Sequence, residues 1–271
     1  MPKISVIMGV YNASDKRILQ EAILSILNQT YTDFEFIICD DGSTNNTLEM
    51  VRNLTKNDTR VKLISNNENK GLAYTLNECL KIATGEYIAR MDADDISNKD
   101  RFEQQVKILD ENSEVGVVNL NAYLFDEKGI WGEEKHNKII QKEDFLYNNP
   151  IIHPSVMVRK TAYDKVDGYR DIKMTYRVED YDLFMRMYSE NIKMITIQDF
   201  LFNYREDKNA IYRRKFRYRI NELKVRYYGF KKMGLLNKKS NYFYVLKPIV
   251  TSLIPKKIYK NLKKWRKNEK K

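Results

Sequence analysis

Between residues 4 and 110 short β-branched runs alternate with stretches of helical period, and this alternation constrains the fold more than any other feature of the sequence. Ile4-Ser5-Val6-Ile7-Met8 is an apolar run of strand type, and residues 15–29 then place Ile18, Leu19, Ala22, Ile23, Ile26 and Leu27 on one helical face. Phe34–Cys39, Val61–Ile64 and Tyr87–Met91 read as further strands, separated by helical stretches at Thr44–Leu54 and Gly71–Ala83. A fourth helix is expected from about Asn98 to Asp110. Strands alternating with helices of this length specify βαβ units and a mostly parallel sheet, an α/β fold. Such sheets bind ligands beyond the carboxyl ends of their strands.

Past residue 115 the pattern changes. Val115–Phe125 and Ile151–Val158 read as strands of mixed orientation joined by a polar stretch with Gly129 and Gly132, and Glu179–Ser189 reads as an amphipathic helix. Charge divides the chain as well. Residues 205–271 hold 23 Lys/Arg and 4 Asp/Glu, a net of +19, whereas residues 1–204 carry a net of −8. An acidic globular part of about residues 1–205 followed by a basic helical extension, 206–271, is the expected organisation. Cys39 and Cys79 each lie in an apolar run, away from any CxxC or Cys/His pairing, and read as buried thiols of a reducing compartment. The opening residues lack a cleavage-site pattern, and no run approaches the ~20 apolar residues of a membrane span. A soluble or peripheral protein is expected.

Acidic clusters end two of the expected strands. Asp92-Ala93-Asp94 puts two carboxylates at i and i+2 on a strand exit, a pattern that suits a hard cation such as Mg²⁺ or Mn²⁺ above a diphosphate. The plain alternative is a solvated acidic turn with Ser97 capping the next helix. Asp40-Asp41-Gly42-Ser43-Thr44 offers Asp41 as an acceptor for a base N–H and Ser43 or Thr44 as a helix start, or it is an ordinary turn and N-cap. Glu179-Asp180-Tyr181-Asp182 opens the late helix; a carboxylate there can take a proton from an attacking hydroxyl or simply complement the helix dipole. His153, between Pro150 and Pro154, could face phosphates or the acceptor, or be structural.

Taken together, ISVIMGVYN, SILNQTYTDFEFIICDDGSTNNT, NKGLAYTLNECLKIATGEYIARMDADDIS, HPSVMVR and GYR…VEDYDLFMRM resemble the inverting, GT-A family 2 glycosyltransferases over about residues 3–205. YIARMDADDIS and HPSVMVR are similar to the bacterial exopolysaccharide and capsule branch, amylovoran-like enzymes included. The resemblance implies a GT-A domain that uses a nucleotide sugar, most simply a UDP-sugar, with Mn²⁺ or Mg²⁺. It implies Gly9 and Tyr11 in the nucleoside pocket, Asp41 on the base and Asp92 at the ribose or diphosphate. Asp94 would bind the metal and Asp180 would be the general base; Glu179, like His153, is a candidate contact to the acceptor or the phosphates. Two departures stand out: Gly9 replaces a frequent Pro, and Asn203-Tyr204-Arg205-Glu206 lacks the late histidine that often completes the metal shell.

Within the basic extension, Arg213–Lys232 reads as a helix and Tyr242–Ile254 as an apolar stretch too short to span a bilayer. From Pro255 a second helix is expected, with Ile258, Leu262 and Trp265 on one lysine-flanked face, the pattern of a helix lying on anionic lipid. A solvated tail is the plain alternative. Charge alone also fits nucleic acid, but the acidic catalytic half and the lack of an RNA- or DNA-binding motif argue against it. A saccharide acceptor, free or lipid-linked, and a cytoplasmic, membrane-peripheral location follow as expectations. The rival enzyme is a sugar nucleotidyltransferase, which needs a Gly-rich, basic phosphate loop that GVYNAS does not provide. The rival outside catalysis is a membrane-surface adaptor that only binds a sugar nucleotide.

Overall fold

The computed structural model describes residues 1–206 and 215–253. Its first part runs β1 (Ile4–Val10), α1 (Lys16–Leu27), β2 (Phe34–Asp40), α2 (Thr47–Thr55), β3 (Val61–Ser65), α3 (Leu72–Ile82) and β4 (Tyr87–Asp92). Four parallel strands stand in the order β3-β2-β1-β4. Period-two alternation sends Ile7, Ile37, Cys39 and Ile88 into one apolar core, while Val6, Met8, Phe36, Ile38 and Ala89 enter a second core on the opposite face. Covering both faces explains why these strands read as continuous apolar runs. Each fully buried Ile, Leu or Phe stabilises this arrangement by about 1.5–3 kcal/mol. Cys39 and Cys79 are both free and buried.

The second part comprises β5 (Ile96–Ser97), α4 (Arg101–Glu111), β6 (Val115–Asp126), β7 (Gly129–Glu134), α5 (Asp144–Tyr147), β8 (Met157–Arg159), α6 (Lys160–Lys165), α7 (Glu179–Ser189) and β9 (Lys193–Arg205). β8 lies antiparallel between β4 and β6, β9 runs parallel to β6, and β5 pairs antiparallel with the end of β9. Three residues separate β4 from β5, yet β5 occupies the far end of the strand order. The sheet therefore curls until its far edge meets the carboxyl end of β4.

Three local expectations are corrected. The expected strand at Ile151–Val158 is mostly a loop with a 3₁₀ turn at His153–Ser155, and only β8 is extended. Pro154 cannot donate to a ladder, and Asn119 Oδ1 accepts from the Ile152 N–H at 2.9 Å and from Ser155 Oγ at 3.2 Å, so a side chain replaces the strand partner. α2 starts at Thr47 instead of Ser43 or Thr44, because residues 43–45 bond to the loop after β1. Ser97 sits in β5 and does not cap α4; Gln29 Oε1 accepts from the Phe102 N–H there at 3.1 Å.

After residue 214 the chain forms α8 (Phe216–Lys232) and α9 (Tyr242–Leu253). They are packed on the α/β part: Val225, Phe230 and Val245 share a buried cluster with Phe145, Tyr181 and Phe184. The segment from Pro255 with Ile258, Leu262 and Trp265 lies outside the described residues, as does the start of the expected helix at Arg213. Among the described residues no helix is long and apolar enough to cross a membrane.

Candidate functional site

Strand register gathers the first group of side chains. Gly9 lies between Cys39 of β2 and Asp92 of β4, so the loops after β1, β2 and β4 emerge together. A Cβ on Gly9 would sit 3.1 Å from Thr75 Cγ2 and 3.2 Å from Leu72 Cδ1, so the missing side chain lets α3 close on this rim. Tyr11 is exposed just beyond it. Asn12 binds the β2 loop on two sides, its N–H donating to Ser43 Oγ and its Oδ1 accepting from the Thr44 N–H, both at 2.9 Å.

Asp41 is buried and accepts four N–H bonds. Asn66 Nδ2 and the Lys70 N–H reach Oδ1 at 2.9 and 2.8 Å, and Asn69 Nδ2 and the Gly71 N–H reach Oδ2 at 3.0 and 2.8 Å. The carboxylate thus anchors loop 66–71, which closes one side of the rim. Gly42 permits the approach: its φ is +64°, and a Cβ there would collide with the backbone of Glu68 and Asn69.

At the end of β4, Asp92, Asp94 and Asp95 each bring a carboxylate oxygen within 4.8 Å of the others. Asp94 reaches solvent, yet desolvation by the surrounding walls and then the Asp92 charge push it up to about 6. Asp95 is buried and also raised, by burial first and then by Asp92 and Asp94. One of its oxygens accepts from the Arg205 N–H at 2.7 Å, and Oδ2 is buried without a partner. Three hard oxygen donors, crowded like charges and an orphaned carboxylate oxygen fit a divalent cation. Asp92 and Asp94 thus stand together as the sequence implies. Asp95 is the addition.

Arg90 lies under this cluster, 1% exposed, and pairs with Asp92. Burial opposes its charge, but the Asp92 carboxylate holds it protonated above the usual arginine range. Nε and Nη1 are buried without partners. The same guanidinium field reaches the second acid group, because it lowers the Asp180 carboxyl while burial raises it. Asp180 sits in the first turn of α7, half-buried, and accepts from Asn149 Nδ2 at 2.9 Å. Glu179 is pushed up to about 7 by burial and then by Asp180. One buried arginine therefore pairs with the first acid group and lends its charge to the second.

His153 is buried, with Nε2 bonded to Tyr169 Oη at 2.6 Å and its ring edge-on to Phe184. Burial and then Arg90 lower its basicity, so it stays neutral. Tyr169 Oη in turn meets Tyr163 Oη at 3.2 Å, which makes a polar thread beneath α7.

Arg90, Asp95, Asn149 and Arg205 escaped the reading of the sequence. Arg90 had a signal, a charge inside the apolar strand Tyr87–Met91. Asn149 and Arg205 had none, because their partners lie 31 and 110 residues away.

The profile of Glycosyl transferase family 2 matches residues 5–191. The putative glycosyltransferase EpsE of Bacillus subtilis is 39% identical over 255 residues, covering 94% of this chain and 90% of the relative. The O-antigen biosynthesis glycosyltransferase WbnJ of Escherichia coli is 34% identical over 209 residues, 74% and 79% of the two chains. Among solved structures, residues 1–349 of S. aureus TarS superpose with a TM-score of 0.65 at 21% identity, covering 82% of this chain and 64% of that one. The mannosyltransferase PcManGT of Pyrobaculum calidifontis, solved with GDP-Man and Mn²⁺, gives 0.61 at 21% identity, covering 86% and 64%. The curled mixed sheet is thus a GT-A-like fold, and the chain belongs to glycosyl transferase family 2.

Proposed function

We propose that this glycosyltransferase inverts configuration and depends on a divalent metal, moving a hexose from a nucleoside diphosphate, most simply UDP, to a saccharide acceptor. The observation that carries this reading is the cluster of three crowded carboxylates at the end of β4, paired with Arg90, together with the partly buried Glu179-Asp180 pair at the head of α7, whose Asp180 feels the same arginine. Relatives of the same fold were solved with UDP-GlcNAc and with GDP-Man and Mn²⁺, which supports a sugar-nucleotide donor and a metal.

In this reading Asp94, with Asp92 and Asp95, holds Mn²⁺ or Mg²⁺, and a bound cation supplies Lewis-acid stabilisation of the leaving diphosphate. Arg90 pairs with Asp92 and would hold its carboxylate toward the ribose and diphosphate. Gly9 and Tyr11 line the nucleoside pocket. Asp41 serves base recognition by holding loop 66–71, whose N–H groups already fill its acceptor positions. Asp180 takes the proton of the acceptor hydroxyl as that oxygen attacks the anomeric carbon, with Asn149 fixing the carboxylate. General-base assistance of this kind contributes typically ~10²–10⁴-fold.

The acceptor is carried on a lipid at the cytoplasmic face of the membrane, in capsule, exopolysaccharide or lipopolysaccharide synthesis of the amylovoran-like branch. The similarity to an O-antigen enzyme supports a surface-polysaccharide pathway. The chain forms two parts, residues 1–205 for catalysis and 206–271 for membrane proximity.

A thermal-shift screen of UDP-, dTDP- and GDP-sugars with and without Mn²⁺ tests the donor. A cognate donor at ~100 Kd adds about 2.7 kcal/mol of stability, and the gain should require the cation. If no nucleotide sugar raises the melting temperature with any cation, the donor assignment fails.

A further inference from the structure

α9 has one face fastened to the protein and one face largely exposed. Val245 and Pro248 are buried on the inner side. Pro248 has no N–H to give the Tyr244 carbonyl four residues earlier. Arg226 of α8 approaches that carbonyl at 3.4 Å, and it also donates to the Leu146 carbonyl at 3.0 Å. Lys247 donates to the Tyr147 carbonyl. The helix is therefore tied to α8 and to the end of α5.

On the outer side Tyr242, Phe243, Leu246, Val250 and Leu253 are between 46% and 76% exposed. At 3.6 residues per turn these five fall within about a third of the helix circumference, opposite the buried residues. A continuous apolar stripe of this kind on the surface marks a contact. Charge indicates what it meets. Residues 215–253 contain ten Lys or Arg and one Glu, and residues 254–271 contain nine and one. Exposed Lys238 and Lys239 stand at the N-terminal end of the stripe. Two copies joined through this face would bring like charges together, and so would a fold-back of the basic segment after Leu253. An anionic lipid surface offers both an apolar layer for the stripe and counter-charge for the lysines.

We propose that α9 lies in the plane of an anionic bilayer surface, with Phe243, Leu246, Val250 and Leu253 entering the boundary between headgroups and acyl chains. This moves the membrane contact onto a helix packed against the catalytic part. It also has a consequence for the reaction: the α5 end that α9 grips is followed by Asn149, which holds Asp180. The bilayer would then lie beside the base, where a lipid-linked acceptor hydroxyl must arrive. The inference rests on the lipid-linked acceptor proposed above.

The full chain should sediment with vesicles of equimolar phosphatidylcholine and phosphatidylglycerol, and only weakly with phosphatidylcholine alone. The triple variant Leu246→Glu, Val250→Glu, Leu253→Glu should lose roughly tenfold or more of that binding while donor hydrolysis is unchanged. In Phe243→Trp, emission should move to shorter wavelength on adding the mixed vesicles by more than that of the parent chain, whose Trp131 and Trp265 already emit, a readout that does not depend on the triple variant folding. Binding by the triple variant equal to that of the parent chain would overturn the proposal. So would an emission shift no larger than that of the parent, or a parent chain that ignores both vesicles. A parent chain that is dimeric in solution, with the triple variant monomeric, would assign the stripe to a second copy and overturn it equally. Absence of vesicle binding with transfer intact sinks this inference alone, whereas loss of donor hydrolysis in the parent chain sinks the enzymatic reading.

Discussion

The acid cluster at the end of β4 and the acid pair at the head of α7 are built from similar carboxyl groups, yet the proposed mechanism gives them different tasks. At β4 three carboxylates lie within 4.8 Å of one another beside a buried arginine. Asp94 and Asp95 are strained first by burial and then by like charges, and one oxygen of Asp95 is left without a partner, a strain that a cation would relieve. At α7 burial again comes first, but only two carboxyls share the strain and Asn149 already bonds Asp180, so a single proton would relieve it. The proposed division of labour thus turns on the number of crowded carboxyls and their partners, since burial is common to both groups.

The largest expected effect separates the two groups directly. Asp180→Asn should lower transfer by ~10²–10⁴-fold while the melting shift given by donor and Mn²⁺ persists. Near-normal turnover in that variant would reduce the α7 pair to a helix cap and remove the contrast. Next in size, Asp94→Asn should abolish the cation-dependent part of the donor's melting shift, about 2.7 kcal/mol at ~100 Kd in the parent chain. A shift that survives without Asp94 would show that the cluster is only an acidic turn.

A smaller effect is expected from Glu179. Its carboxyl rises from the ordinary 4.5 to about 7, so the folded state holds the proton more tightly than the unfolded state. The resulting penalty is absent below the lower value, grows between the two, and is complete above the upper one. Glu179→Gln should therefore raise unfolding stability by about 1–2 kcal/mol near pH 8, after allowance for partial exposure, and by nothing near pH 4. Denaturant titrations at the two pH values measure this, and an equal gain at both would remove the ionisation argument. The smallest effect concerns Asn149. Burial raises Asp180 and the Asn149 hydrogen bond works against that rise, so Asn149→Ala should move the acid limb of kcat to higher pH. A limb that moves down or stays would show that Asn149 does not hold the ionised carboxylate.

How much of this was legible beforehand depends on the distance over which each feature is specified. β1 to β4 and their helices were readable to within three residues at each end, because an apolar run or a helical stripe is written in consecutive residues. α7 was readable in full. The loop at 151–156 was misread because its apolar residues are held by the Asn119 side chain, more than 30 residues away. Ser43 and Thr44 were misread as a helix start because their polar groups serve Asn12, on another strand's loop.

The site shows the same division. Asp92, Asp94 and Asp180 announced themselves as acids at element ends, and the resemblance to a known family assigned their roles. Asp95 stands in the same run and was passed over, since nothing local says which carboxylate of a cluster turns inward. Local order determined the strands, the helices and the acidic exits, since those depend on propensity and period along the chain. Only the tertiary structure decided that Arg90 would be buried against Asp92 with its charge reaching Asp180, that Asp41 would spend its oxygens on a loop, and that α9 would turn one face outward. Desolvation and charge pairing act through space, and no stretch of neighbouring residues contains them.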